Sequence, residues 1–241
     1  MNARHVALRA ACALTAVWAL APFARAAVTV IDDFEANEGH FAQAPNFSGS
    51  SAGFAAGSTA DRSTEAFFSG TASEKLVIDD VVGTNDPGGG AWRLRFLSGG
   101  GTPANNVTLD ATGYVGYWLK TTTPNLRAGV MIDDGAALER SVRTAIISDG
   151  EWHLYQWNFD DDTQWDAFAG TAPNGAIDAA QVTIDALYVD AALAGDGSDQ
   201  DATFYIDAVS FDPTGEIAVP EPATLGLMGV GALALLRRRR A

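Results

Sequence analysis

The sequence predicts an all-β protein, a two-sheet antiparallel β-sandwich, and three observations carry that reading. Short runs of Val, Ile, Leu and aromatic residues are separated by stretches rich in Gly, Ser, Thr, Asn and Asp. Long stretches of helical periodicity are few. At Trp92, Leu94 and Phe96 apolar residues alternate with Arg93 and Arg95, the period of two of a strand with one buried face. About nine such segments fall in a body of about 190 residues, enough to bury a core and too many for one small sheet.

Taken in order, the first strand is expected in Val28 to Glu35, followed by a Gly, Ala and Ser-rich region over 36–65 that reads as a long loop or weak strands. Lys75 to Asp79 is next, then a turn through Asn85-Asp86-Pro87-Gly88-Gly89-Gly90, then Trp92 to Phe96. In Tyr114 to Lys120, Val115, Tyr117 and Leu119 take one face, and Tyr114, Gly116, Trp118 and Lys120 the other. Asp133-Asp134-Gly135 predicts a hairpin turn between Val130 to Asp133 and Ser141 to Ile147. Glu151 to Phe159, Val182 to Val189 and Thr203 to Phe211 complete the series, the last two joined by the acidic loop Gly195 to Asp201.

The two ends read differently. Arg4 and Arg9, an apolar stretch from Ala11 to Ala21, and Ala24-Arg25-Ala26 before Ala27 have the form of a cleaved secretory signal, residues 1–26. The only cysteine, Cys12, lies within it, so the body at 27–213 is expected to use no thiol, disulfide or Cys-zinc chemistry. After a short join at 214–219 comes Pro220-Glu221-Pro222, then an apolar run from Ala223 to Leu236 broken only by Thr224, then Arg237, Arg238, Arg239 and Arg240. As a helix those fourteen residues reach roughly 21 Å, short of the ~30 Å hydrocarbon core, so they make a short, marginal anchor. Arginines directly after the run favour the cytoplasmic side, which places everything before Pro220 across the inner membrane.

This tail resembles the PEP-CTERM sorting signal of Gram-negative bacteria: Pro-Glu-Pro, a short hydrophobic helix and a basic tip read by an exosortase. The resemblance implies export, transient inner-membrane contact, processing near the motif, and delivery to the cell surface or the extracellular polysaccharide. The simple alternative is a C-terminal membrane anchor.

The full chain carries −15; removing the three positive charges of the signal and the net three of residues 220–241 leaves the body at −21. A field of that sign repels nucleic acid, so nucleic-acid partners are excluded. It is also the expected surface of a soluble, calcium-tolerant exported domain.

Four segments, Ile31 to Glu35, Gly116 to Lys120, Asp149 to Tyr155 and Phe204 to Val209, resemble the galactose-binding-like jelly rolls of carbohydrate-binding modules. That resemblance implies a jelly-roll sandwich and a structural Ca2+ between first and last strands, with Asp33, Glu35 and Asp207 at the matching positions. Solvated strand-edge carboxylates are the other reading of Asp33 and Glu35. The Asp196 to Asp201 loop is a second calcium candidate, though it reads more simply as a solvated hairpin.

Sugars stack on aromatic faces while carboxylates, amides and guanidinium groups take their hydroxyls. Trp165, following Asp160, Asp161 and Asp162 in polar sequence, is the first candidate platform; Trp118 and Tyr114, sharing a face with Lys120, are the others. Trp92, Trp152 and Trp157 read as core. Gly49-Ser50-Ser51-Ala52-Gly53 matches a nucleophile elbow, but no amphipathic helix follows it, and His40 and His153 show no metal-ligand spacing. The expected protein is a non-catalytic, exported glycan binder, with neutral glycans favoured unless calcium bridges acidic ones. A structural matrix protein without a ligand is the alternative, and a glycan hydrolase or lyase a third reading, because so many carboxylates leave paired acids open.

Overall fold

A computed structural model describes residues 28–83, 90–192 and 199–217. The expected signal peptide, the tail with its hydrophobic run and sorting residues, most of the Asn85 to Gly90 segment, and the first half of the acidic 195–201 segment lie outside the described residues.

The chain runs through β1 (Thr29–Asp32), β2 (Thr59–Ser63), β3 (Ser73–Ile78), β4 (Arg93–Leu97), β5 (Thr108–Asp110), β6 (Tyr114–Thr121) and β7 (Leu126–Asp134). It continues through β8 (Ala137–Ser141), β9 (Thr144–Ala145), β10 (Trp152–Asn158), β11 (Trp165–Gly170), β12 (Gln181–Ala191) and β13 (Ala202–Asp212). All pairings are antiparallel. One sheet has the order β10-β6-β13-β3-β2, with β1 added along β13; the other has β11-β8-β7-β12-β4, with β5 on β12 and β9 on β7. The chain crosses repeatedly between the two, the connectivity that a sandwich requires and a simple meander does not.

Alternation in the strands builds the core. Val115, Tyr117 and Leu119 of β6 face inward with no exposure, as do Leu76 of β3, Val130 and Ile132 of β7, and Phe204 and Ile206 of β13. Trp92 and Trp157 join them, as expected from sequence. A fully buried phenol needs a partner, and the Tyr117 hydroxyl donates across the sandwich to the carbonyls of Gly129 (3.1 Å) and Tyr188 (3.3 Å).

Three strands escape the sequence pattern. β2 is polar Thr-Ala-Asp-Arg-Ser at a sheet edge, β5 is three residues long, and β11 begins at Trp165 where a loop was expected. The β7–β8 hairpin forms, but Asp134 already pairs with Ala137, so the second strand is 137–141 rather than 141–147. A turn of two residues, Gly135 and Ala136, lets pairing begin at once, and Leu138 is the first residue of β8 to bury its side chain.

Candidate functional site

The residues singled out from sequence are placed at three different loci. Trp165 is 4 % exposed, its ring stacked on Phe159 at 5.6 Å and 12° and its indole N–H donating to the Asn158 carbonyl at 2.9 Å. It belongs to the core and offers no platform, which corrects the expectation. The cause is the acidic turn before it. Asp160 accepts from the Gly113 amide at 2.9 Å, and Asp161 caps the 3-10 turn Asp162–Gln164 by accepting from Thr163 N (3.1 Å), Thr163 Oγ1 (2.6 Å) and Gln164 Nε2 (3.0 Å). Those donors hold the Asp161 carboxyl below its usual range. The turn reverses the chain and delivers Trp165 inward; Asp162 remains exposed on its rim.

Trp118 and Tyr114 do lie on the outward face of the first sheet, since Trp118 pairs with Leu154 and Asp207 while its neighbours Tyr117 and Leu119 face the core. Trp118 is nevertheless covered. The loop joining β2 to β3 lays Phe68 on it, ring centroids 3.7 Å apart and 11° from parallel. Tyr114 is half-buried at the far end of β6, opposite Asn158 and Asp212.

The loop is held by two of the three carboxylates matched to calcium. Buried Asp207 accepts from the amides of Phe68 (2.8 Å) and Ser69 (3.1 Å) through Oδ2, and from Ala208 (2.6 Å) through Oδ1. Glu35 accepts from Thr71 N (2.7 Å), Thr71 Oγ1 (2.7 Å) and Ala72 N (3.0 Å), donors that keep its carboxyl below the ordinary value. Gly70, at φ +67, stands where a Cβ would run into the Glu35 carboxylate. Asp33 is exposed and accepts from the Glu35 amide at 3.1 Å. Among the described residues no three acidic, His or Cys side chains are gathered at one point. Asp201, at the described end of the acidic loop, accepts from the Asp80 amide at 2.8 Å.

Sequence reading missed what lies beside the Phe68 cover. At one level across the outward face of the first sheet, register places Trp152 opposite Lys120, Lys120 opposite Tyr205, Tyr205 opposite Lys75 and Lys75 opposite Asp61. With strands about 4.8 Å apart, Trp152 and Tyr205 stand roughly 10 Å from each other with Lys120 between them. Trp152 is half-buried here and meets Phe68 edge-on at 6.3 Å, not packed in the core as expected. Lys75 lies 5.9 Å from the Tyr205 ring centroid, and both Lys75 Nζ (2.7 Å) and the Tyr205 hydroxyl (2.8 Å) donate to Glu65. A hollow of about 220 Å³ opens beside Tyr205, lined also by Lys120, Thr121, Thr122, Gly150 and Thr203. Across Thr122 and Thr203 it meets a second hollow of about 550 Å³ bounded by Val77, Asp79 and Asp201. The signal for this row, alternation in Trp152 to Gln156 and Thr203 to Asp207, was present in sequence; which strands lie side by side was not.

The outward face of the second sheet is filled by its own side chains. Tyr188 and Met131 are buried, and the Arg140 guanidinium lies between Phe168 (5.7 Å) and Tyr188 (5.6 Å). Arg95 grips buried Asp185, and Arg127 and Arg143 share buried Asp190. Elsewhere, Ser51 of the elbow-like sequence donates to the Arg95 carbonyl (3.5 Å) and accepts from its amide (3.0 Å). His40 and His153 pair separately with Asp32 and Asp149.

Fold and face together define a two-sheet β-sandwich with an open row of aromatic and cationic side chains on one side. Residues 218–240 match the PEP-CTERM protein-sorting motif, which marks the chain as exported and carrying a sorting signal. A family 11 carbohydrate-binding module of the cellulosomal cellulase Lic26A-Cel5E of Clostridium thermocellum is similar in structure, at 12 % identity and a TM-score of 0.43, covering 80 % of this chain and 98 % of that one. No curated protein matches the sequence significantly.

Proposed function

We propose that this is a non-catalytic glycan-binding protein of the cell surface or extracellular matrix of a Gram-negative bacterium, handed to an exosortase by its tail. The glycan lies across the outward face of the first sheet. The observation that carries the reading is the hollow in which Tyr205, Lys120, Thr122 and Thr203 meet, with Trp152 one strand beyond. An aromatic ring beside hydroxyl and ammonium groups supplies both halves of sugar recognition: a surface for the apolar face of a pyranose and polar groups for its hydroxyls. Trp118 contributes indirectly, as the floor on which Phe68 rests.

Tyr205→Ala is expected to reduce retention on insoluble polysaccharides at least about tenfold, since a stacked ring with its polar handle contributes on the order of 1.4 kcal/mol or more. Trp152→Ala is expected to act in the same direction and less strongly, because Phe68 already takes one edge of that ring. Pull-down of the purified protein on a polysaccharide panel checks both. A folded protein retained by none of the polymers would leave the structural matrix role in place of this one.

A further inference from the structure

The two lysines of this chain, Lys75 and Lys120, stand on either side of Tyr205 in the same row. Lys75 is spent on Glu65. The arginines of the body are engaged too: Arg95, Arg127, Arg140 and Arg143 sit on carboxylates, Arg62 donates to the carbonyls of Phe34 and Glu35, and Arg93 donates to that of Ser50. Lys120, half-buried and lining the hollow, has no hydrogen-bond or ion-pair partner among the described residues. In a body of net charge −21 carboxylates are abundant, yet none of the described ones is placed on it.

Building on the glycan reading above, we propose that the polymer bound on this face is a polyuronate, and that Lys120 receives its carboxylate while Tyr205 stacks the ring that bears it. A half-buried ammonium without a counterion favours an anionic ligand group over a hydroxyl, because a charge-assisted hydrogen bond is about twice as strong as a neutral one. The net negative charge of the body does not oppose this at contact range. At physiological salt, charges beyond about 8 Å are largely screened, whereas Lys120 meets the ligand directly. The gradient along the face sets direction as well: the larger hollow is bounded by Asp79 and Asp201, so hydroxyls belong at that end and the carboxylate at the Lys120 end.

The test compares polygalacturonate with the same polymer after its carboxyl groups are reduced to alcohols, using the purified exported protein and its Lys120→Gln, Lys120→Arg and Tyr205→Ala variants in affinity electrophoresis. Wild type is expected to prefer the acidic polymer by about tenfold or more. Lys120→Gln brings the two polymers near parity and flattens the loss of acidic binding with salt, while Lys120→Arg keeps the preference. Equal preference for the acidic polymer in wild type and Lys120→Gln, or a wild type that favours the reduced polymer or neither, overturns the polyuronate inference and leaves the glycan reading standing, provided Tyr205→Ala still lowers retention. If neither polymer, nor any neutral glycan of the panel, is retained, both fail.

Discussion

Replacing Glu74 by Gln is expected to remove most of the loss of stability that the wild type suffers between about pH 5 and pH 8. Glu74 faces inward from β3, has no solvent exposure, and has no hydrogen-bond partner among the described residues on either carboxylate oxygen. Arg62 stands directly opposite in β2, but its guanidinium is directed to the carbonyls of Phe34 (2.6 Å) and Glu35 (2.7 Å). Ile206 of β13 on the other side offers nothing polar. Burial, with the negative charges of Glu38, Asp61 and Asp32 behind it, pushes the Glu74 carboxyl up to about 8. The folded state therefore keeps a proton that the unfolded chain releases near 4.5. Between those values the folded state binds more protons, so stability falls as pH rises, and above about 8 the effect saturates. At ~1.4 kcal/mol per unit the full effect is on the order of 5 kcal/mol. Gln cannot titrate, and Glu74→Leu, which also removes the unpaired polar atoms, is expected to exceed wild type by several kcal/mol at pH 8. Urea unfolding at pH 5, 6.5 and 8 checks this. Parallel pH profiles for wild type and Glu74→Gln would show that the carboxyl finds a partner in solution.

Asp207→Ala acts in the opposite direction and on the site itself. It strands the amides of Phe68, Ser69 and Ala208, at about 1–3 kcal/mol for each unsatisfied donor that water cannot reach, so a loss of roughly 3–5 kcal/mol is expected. Because two of those amides belong to the covering loop, the loss is local first: Phe68 lifts from Trp118, and tryptophan emission shifts red and becomes open to a soluble quencher. Glu35→Gln weakens the other end of the same loop, so the two substitutions are expected to be less than additive. Calorimetry and quenching on the single and double variants measure both effects. A melting temperature lowered without any change in quenching would place the role of Asp207 in β13 and not in the loop.

Much of this protein was legible as sequence. The period of two in Trp92 to Phe96 and in Tyr114 to Lys120, the acidic body, and the Pro-Glu-Pro tail each state a local property, and local properties survive reading one residue at a time. Less local features were misread for identifiable reasons. Polarity around Trp165 suggested a loop surface, but Asp160 and Asp161 fold back on backbone amides and turn the ring into the core. That Glu35 and Asp207 both hold the loop carrying Phe68 has no local signal either, since Phe68 and Asp207 are 139 positions apart in sequence.

By itself the sequence determined that the chain is all-β, that its body is exported and strongly acidic, and that Trp118 and Lys120 share one strand face, because side-chain alternation and charge are set by neighbours along the chain. Only the tertiary structure decided that Phe68 covers Trp118, that Trp152, Lys120, Tyr205 and Lys75 form one row, and that no carboxylate among the described residues meets Lys120. Strand order joins β10, β6, β13 and β3 across more than 120 residues of sequence, and such pairing depends on the packing of two whole sheets, which no local pattern encodes.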